Sequence, residues 1–291
     1  MVSENRLDHA PTLETQLENR ASMDPQVRDA LLRLNRRFYA QVAPHFDATR
    51  QGWTPGLRAI LPYFRVGGKD RPTVLDVGCG NGRFARLLEQ EGLGASYTGV
   101  DGDGALLQFA RGSTTDMAAV KCRFIKADLA DPGWTAALTT ERASEGDAAV
   151  TQESGDDPPA FDIVLCTATV QHLPGYALRL RLLRDLRRLS AGRVILSFWQ
   201  FLSSARFRSR LIDPRDVGID ASALEPGDGL LPWRQGIEAT RYVHQVDEAE
   251  LRQLAADAGM SVLRTFRADG KEGDLNLYAV LGPAAVQQGE Q

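Results

Sequence analysis

The stretch VLDVGCGNGRF, Val74 to Phe84, decides how the rest of the chain is read. Val74, Leu75 and Val77 supply the apolar run of a buried strand. Gly78, Gly80 and Gly82 follow, and Phe84, Leu87 and Leu88 then recur at helical spacing. A strand, a glycine-rich turn and a helix open the nucleotide-binding unit of an α/β sheet. Glycine suits that turn because the backbone must bend tightly while a ligand approaches it closely.

The spacing narrows the ligand. The dinucleotide pattern G-x-G-x-x-G would place its third glycine at position 83, where Arg83 stands. The pattern here is G-x-G-x-G, and Asp76 precedes the first glycine by two residues. A carboxylate beside the loop repels a pyrophosphate and favours a cationic ligand. S-adenosylmethionine, with an ammonium and a sulfonium, meets that demand better than NAD, and Asp76, Gly78, Cys79 and Gly80 are its expected contacts. These residues resemble the first motif of the class I S-adenosylmethionine-dependent methyltransferases, an acidic residue followed by G-x-G-x-G. A structural glycine turn in some other α/β protein is the competing reading.

Further strands follow in order. Tyr97, Gly99 and Val100 end at Asp101, 21 residues beyond Gly80, where an acid accepts hydrogen bonds from both ribose hydroxyls; Gly102 joins it in the cofactor set. Cys122, Phe124 and Ile125 lead to Asp128 and Leu129. The resemblance implies that this third acid faces the adenine amino group, with Leu129 against the ring; a turn or cap aspartate is the alternative. Phe161 to Cys166 reads as a fully buried strand opening onto Thr167 and His172. Ligands in parallel sheets lie beyond such carboxyl ends, so both residues are assigned to the cofactor side. His172 either packs near the cofactor or touches substrate.

The segment YALRLRLLRDLRRLSAGR is an amphipathic helix with Leu182, Leu186 and Leu189 in its apolar set and Arg179 on its polar side. VILSFWQ makes a fifth strand ending in aromatics, and SVLRTFRA and DLNLYAVLG form a closing antiparallel pair. The predicted fold is a seven-stranded Rossmann-like methyltransferase sheet, mostly parallel with the last strand antiparallel, and helices on both faces.

Composition sets outer bounds. Of 291 residues, 43% are hydrophobic and 25% charged, as in an ordinary globular protein. No run of about 18 apolar residues exists, so no membrane span is expected. MVSENRLDHA lacks the apolar core of a signal peptide, and a cytoplasmic location is expected. Cys79, Cys122 and Cys166 are far apart, and the four histidines accompany no C-x-x-C pair, so no metal site is expected. The net charge of −4 speaks weakly against nucleic acid. Residues 136–160 hold six acids and one base, which leaves the remainder at +1.

The chain divides into a mobile N-terminal tail (1–25), one domain (26–283) and a C-terminal tail (284–291). Within the domain, 136–160 reads as an acidic mobile insertion and 201–240 as a substrate-side insertion. Val27, Leu31, Leu34, Phe38 and Val42 predict a helix from Pro25, and Trp53 to Phe64 predicts a second; helices placed here act as a lid in this fold class.

A closer resemblance comes from GDGLLPW and RYVHQVDEAELRQLAADAG, with FYAQVAPHFDATR and Trp53 earlier in the chain. These segments are similar to the tRNA methyltransferases that esterify a carboxymethyl group on the wobble uridine. The resemblance implicates Arg50, Trp53, Trp233, Arg241, Tyr242 and His244 around the substrate pocket, with Arg50, Arg241 and His244 in catalytic roles. It implies tRNA as a partner, and some relatives use a small activating subunit. Val243 stands where the family has a second aromatic, and NLYAVL replaces its tryptophan-bearing strand. A carboxylate acceptor needs no general base, and Trp199 joins Trp233 in an apolar pocket that suits loss of the sulfonium charge. A small-molecule O- or N-methyltransferase and a non-catalytic cofactor-binding scaffold remain the alternatives. The intact Asp76, Gly78, Gly80, Asp101 and Asp128 speak against the scaffold.

Overall fold

The computed structural model describes residues 23–139 and 160–284. The two tails and the acidic insertion therefore lie almost wholly outside the described residues. Five strands run parallel: β1 (Thr73–Val77), β2 (Ala95–Asp101), β3 (Val120–Lys126), β4 (Phe161–Thr167) and β5 (Ser190–Trp199). Two more, β8 (Met260–Ala268) and β9 (Asn276–Pro283), complete a sheet of order β3-β2-β1-β4-β5-β9-β8, in which β9 is antiparallel to both neighbours. This is the predicted sheet.

Strand alternation explains both faces. Leu75 and Val77 of β1 join Val100, Ile125 and Val164 in one core layer. Val74 points the other way, into a layer with Tyr97, Phe84, Leu87 and Leu88. Asp76 therefore shares the Val74 side of the strand. Chain order reverses at β1, which has β2 on one side and β4 on the other. Ligands in such sheets bind outside the carboxyl ends at that point.

Helix α1 (Pro25–Thr49) starts where the sequence predicts. Asp24 caps it by accepting hydrogen bonds from the backbone N–H groups of Gln26 and Val27, and Pro25 occupies the first turn, where no N–H partner is lost. It runs through Pro44 without ending. The predicted helix over 53–64 is shorter: a helical turn Pro55–Ala59 gives way to a 3-10 turn Leu61–Phe64. Pro62 has no N–H to continue the α-helical ladder. Helices α2 (Arg83–Gln90), α3 (Gly104–Thr114), α4 (Tyr176–Leu189) and α5 (Glu248–Asp257) cover the sheet. Among the described residues no helix is long and apolar enough to cross a membrane.

The 201–240 segment holds an unpredicted element, the hairpin of β6 (Asp228–Arg234) and β7 (Glu238–His244). Pro232 inside β6 removes a backbone donor and masks the strand pattern, yet the pair forms as an isolated two-stranded ribbon braced by α1. Asn35 of α1 accepts a hydrogen bond from the Tyr242 backbone N–H at 2.8 Å.

Candidate active site

A cleft of about 1430 Å³ opens at the carboxyl ends of β1, β2 and β4. That exceeds the roughly 300–1,000 Å³ usual for one small-molecule site and leaves room for two ligands. Its floor is the glycine loop. Gly80 has φ +56°, and a side chain there would enter open cleft, with Phe46 the nearest neighbour at 3.9 Å. Gly78, at φ +78°, lies so close to Thr169 that a Cβ would sit 2.1 Å from its hydroxyl oxygen. Packing therefore excludes a side chain at Gly78, and the left-handed backbone disfavours one at Gly80.

Two acids flank this loop. Asp76 is buried; the Tyr97 hydroxyl donates to its Oδ2, and its Oδ1 has no partner. Burial raises its pKa to about 7, against the lowering effect of the Tyr97 bond. Asp101 accepts from the backbone N–H of Gly80 at 2.9 Å and of Asp103 at 2.8 Å. Burial raises its pKa to about 6, with those amides opposing. An orphaned, buried carboxylate oxygen beside an open backbone loop asks for a cation. The methionyl ammonium of S-adenosylmethionine fits that demand, and the ribose hydroxyls fit the remaining lone pairs of Asp101.

Cys79, Gly102, Leu129 and Thr167 also line the cleft, as does Asp128. Asp128 combines two roles: its Oδ1 accepts from the Ala130 N–H in a turn, and its Oδ2 pairs with Arg36 at 2.6 Å. Two non-glycine residues of the cleft lining have left-handed backbone, Ala168 at φ +53° and Asp269 at φ +69°; the Ala168 N–H donates to the Ser197 carbonyl at 2.9 Å.

The other half of the cleft is aromatic and cationic. Trp53, Trp199, Trp233, Arg50 and Arg241 all line it. The Arg241 guanidinium lies 4.7 Å from the Trp199 ring centroid and 5.5 Å from that of Phe38. Its Nε is buried without a hydrogen-bond partner, and no carboxylate forms an ion pair with it among the described residues. Burial lowers its pKa and that of Arg50, which sits over the Phe46 ring at 4.9 Å.

His172 lines the cleft on this same side rather than on the cofactor side alone. It contacts the Tyr39 hydroxyl, and burial, assisted by Arg241, lowers its pKa to about 4. Tyr39 is a cleft residue for which the sequence leaves packing onto the sheet and a role at the site both open. Its signal was the α1 face shared with Asn35 and Phe46, at spacings of four and seven.

Tyr242 and His244 stand elsewhere. Both are buried outside the cleft lining, in a cluster with Glu225, Asp228, Glu250 and Arg179. The geometry gives His244 no access to the cleft, because both ring nitrogens are engaged by carboxylates at 2.7 Å. Arg179, expected on the solvated face of its helix, is 2% exposed and bridges Glu225 and Glu250. Glu225, Asp228 and His244 also carry metal-ligand atoms within 4.8 Å of one another. Arg179 and the imidazole already supply the positive charge that this acidic group requires.

Residues 46–265 match the family model described as a methyltransferase domain. A curated Encephalitozoon cuniculi protein carrying a methyltransferase name is 26% identical over 248 residues, which cover 84% of this chain and 93% of the relative. The magnesium protoporphyrin IX methyltransferase of Synechocystis, crystallised with S-adenosylhomocysteine, has a TM-score of 0.55 at 18% identity, covering 89% of this chain and 98% of its own. A chain in the complex between the Haloferax volcanii Trm112 methyltransferase activator and its methyltransferase has a TM-score of 0.52 at 17% identity, covering 88% and 99%. At those identities the two structures speak for the fold. The chain belongs to the methyltransferase domain family, an enzyme whose glycine loop and buried acids suit S-adenosylmethionine as methyl donor.

Proposed function

We propose that this enzyme methylates a carboxylate oxygen, and that its acceptor is the carboxymethyl group of a modified wobble uridine in tRNA. One observation carries the reading: Arg241 lines the cleft half-buried between aromatic rings, with its Nε atom buried and unpartnered and no counter-anion among the described residues. A guanidinium held against aromatic rings with no carboxylate beside it favours an anion, and a carboxylate acceptor meets it with a bidentate pair.

Bound S-adenosylmethionine supplies an electrophilic methyl carbon. Asp76 would hold its ammonium and Asp101 its ribose. Arg241, together with Arg50, which also lines the cleft, would hold the acceptor carboxylate. Trp53, Trp199 and Trp233 exclude water and give the transferring charge an apolar surrounding. A carboxylate is ionised at neutral pH, so no cleft residue has to take a proton. His172, neutral and depressed to about 4, is consistent with that.

The tRNA part rests on the resemblance of GDGLLPW and RYVH, and it is supported by Arg206, Phe207 and Arg210 at the cleft. Arginines interleaved with an aromatic suit phosphate contact and base stacking. A small activating subunit, as in the Haloferax complex, belongs to the same proposal. The second reading, a free small carboxylic acid, is favoured by the net charge of −4. Incubation of purified protein with labelled donor and total tRNA, followed by nucleoside mass spectrometry, tests the choice. A uridine methyl ester is expected; label found only in small acids would sink the tRNA assignment.

A further inference from the structure

The Tyr39 hydroxyl lies 2.9 Å from Nε2 of His172, and Nδ1 of the same ring lies 3.2 Å from the Tyr242 backbone carbonyl. A carbonyl oxygen has no proton to give, so Nδ1 must carry the hydrogen of the neutral ring. Nε2 is then a bare acceptor, and the Tyr39 O–H is its donor. This direction has a consequence for the cleft. The hydroxyl has one proton, and His172 holds it. What Tyr39 can offer elsewhere is lone-pair density, and the group that approaches it there is Arg241.

The chain of contacts is braced at both ends. Tyr242 precedes nothing in the cleft itself, yet its carbonyl belongs to β7, the strand that presents Arg241. Asn35, one helical turn before Tyr39 on α1, donates from Nδ2 to the His172 carbonyl at 3.2 Å and accepts from the Tyr242 N–H at 2.8 Å. Helix α1, the turn after β4 and strand β7 thus meet around one imidazole.

We propose that His172 and Tyr39 are positioning residues for the acceptor: His172 locks the Tyr39 hydroxyl as an acceptor toward Arg241, so that the guanidinium alone is aimed to receive an ionised carboxylate. The inference rests on the carboxylate reading given above. Tyr39 with a free proton would donate to the substrate and compete with Arg241; locked, it aims the guanidinium and rejects acceptors that need a donor at that point.

The test is a double-mutant cycle of Tyr39→Phe and His172→Phe, assayed by methyl transfer to tRNA bearing 5-carboxymethyluridine, with donor Kd measured by calorimetry on each variant. Each single change is expected to raise acceptor KM about tenfold, the loss of one charge-assisted bond, with kcat within about threefold and donor Kd unchanged. The double variant is expected to be no worse than the worse single, because His172 acts through Tyr39. His172→Gln, which keeps an acceptor for the hydroxyl, should return KM toward the wild-type value and guards against simple misfolding. Multiplying costs in the double variant, or a Gln variant as impaired as the Phe variant, would overturn the proposal. Arg241→Met separates the two levels. If it leaves acceptor KM unchanged, the carboxylate reading fails and takes this inference with it; if it raises KM while Tyr39→Phe does not, only the inference fails.

Discussion

Asp76 and Asp101 are the single side chains proposed to set the donor site. Asp76 is buried and Asp101 half-buried, and loss of solvent pushes their pKa values up to about 7 and about 6. A protonated carboxyl cannot pair with an ammonium. The sign follows: lowering pH through those values removes the charges that hold the donor, and raising it restores them. Donor Kd measured by calorimetry is therefore expected to rise as pH falls from 8 to 6, and a flat profile would contradict the assignment. Asp101→Ala removes the acceptor for the ribose and loosens the Gly80 amide that it holds at 2.9 Å. It should weaken donor binding by at least about 2 kcal/mol, roughly thirtyfold. On the other side of the cleft, Arg241→Met is expected to raise acceptor KM by about 2 kcal/mol or more in binding terms while donor Kd stays put. Equal losses at both substrates would mean that Arg241 only supports the fold.

The decisive element is the β6–β7 hairpin. Strand alternation divides it into two faces. Leu231, Trp233 and Arg241 line the cleft, and Leu231 pairs directly with Arg241 across the ribbon. On the opposite face Leu230 pairs with Tyr242 and Asp228 with His244. That second face clasps the hairpin to α4 and α5 through Arg179 and Glu250. Both nitrogens of His244 face carboxylate oxygens, which only accept, so the ring is held as an imidazolium. Burial alone would lower its pKa; the bonds to Asp228 and Glu250 prevail and raise it. A raised folded-state value contributes stability that is fully present below the unfolded value of about 6.5 and is lost as pH rises through the folded one. Thermal melts should therefore show wild-type Tm falling on the alkaline side relative to His244→Asn, with the variant destabilised at pH 6. Parallel Tm curves for the two proteins would refute the clasp.

At the scale of the molecule, the 201–240 segment puts cationic side chains on the lining of a cleft in a chain of net charge −4. Arg206 and Arg210 line that cleft, whereas Arg208 lies outside its lining and donates to the Leu202 carbonyl at 2.6 Å. If tRNA is the partner, Arg206→Ala with Arg210→Ala should weaken its binding and reduce the slope of log K against log salt by about 2, one for each lost phosphate contact. An unchanged slope would remove these residues from the RNA path.

The sheet, the glycine loop and the acids at 76, 101 and 128 were legible in the sequence because each is a local signal. An apolar strand, glycines at left-handed backbone positions and an acid at a strand end are specified within a few residues of one another. Arg241, Tyr242 and His244 were not separable in that way. They lie within four residues, and the resemblance put all of them at the substrate pocket. Pro232 masked β6, the strand that pairs with theirs, and the hairpin that assigns their faces was not predicted. Only tertiary structure decided that Arg241 turns into the cleft while Tyr242 and His244 turn into a buried ion cluster, because a two-residue period sends neighbours to opposite sides and the partners on each side come from distant helices.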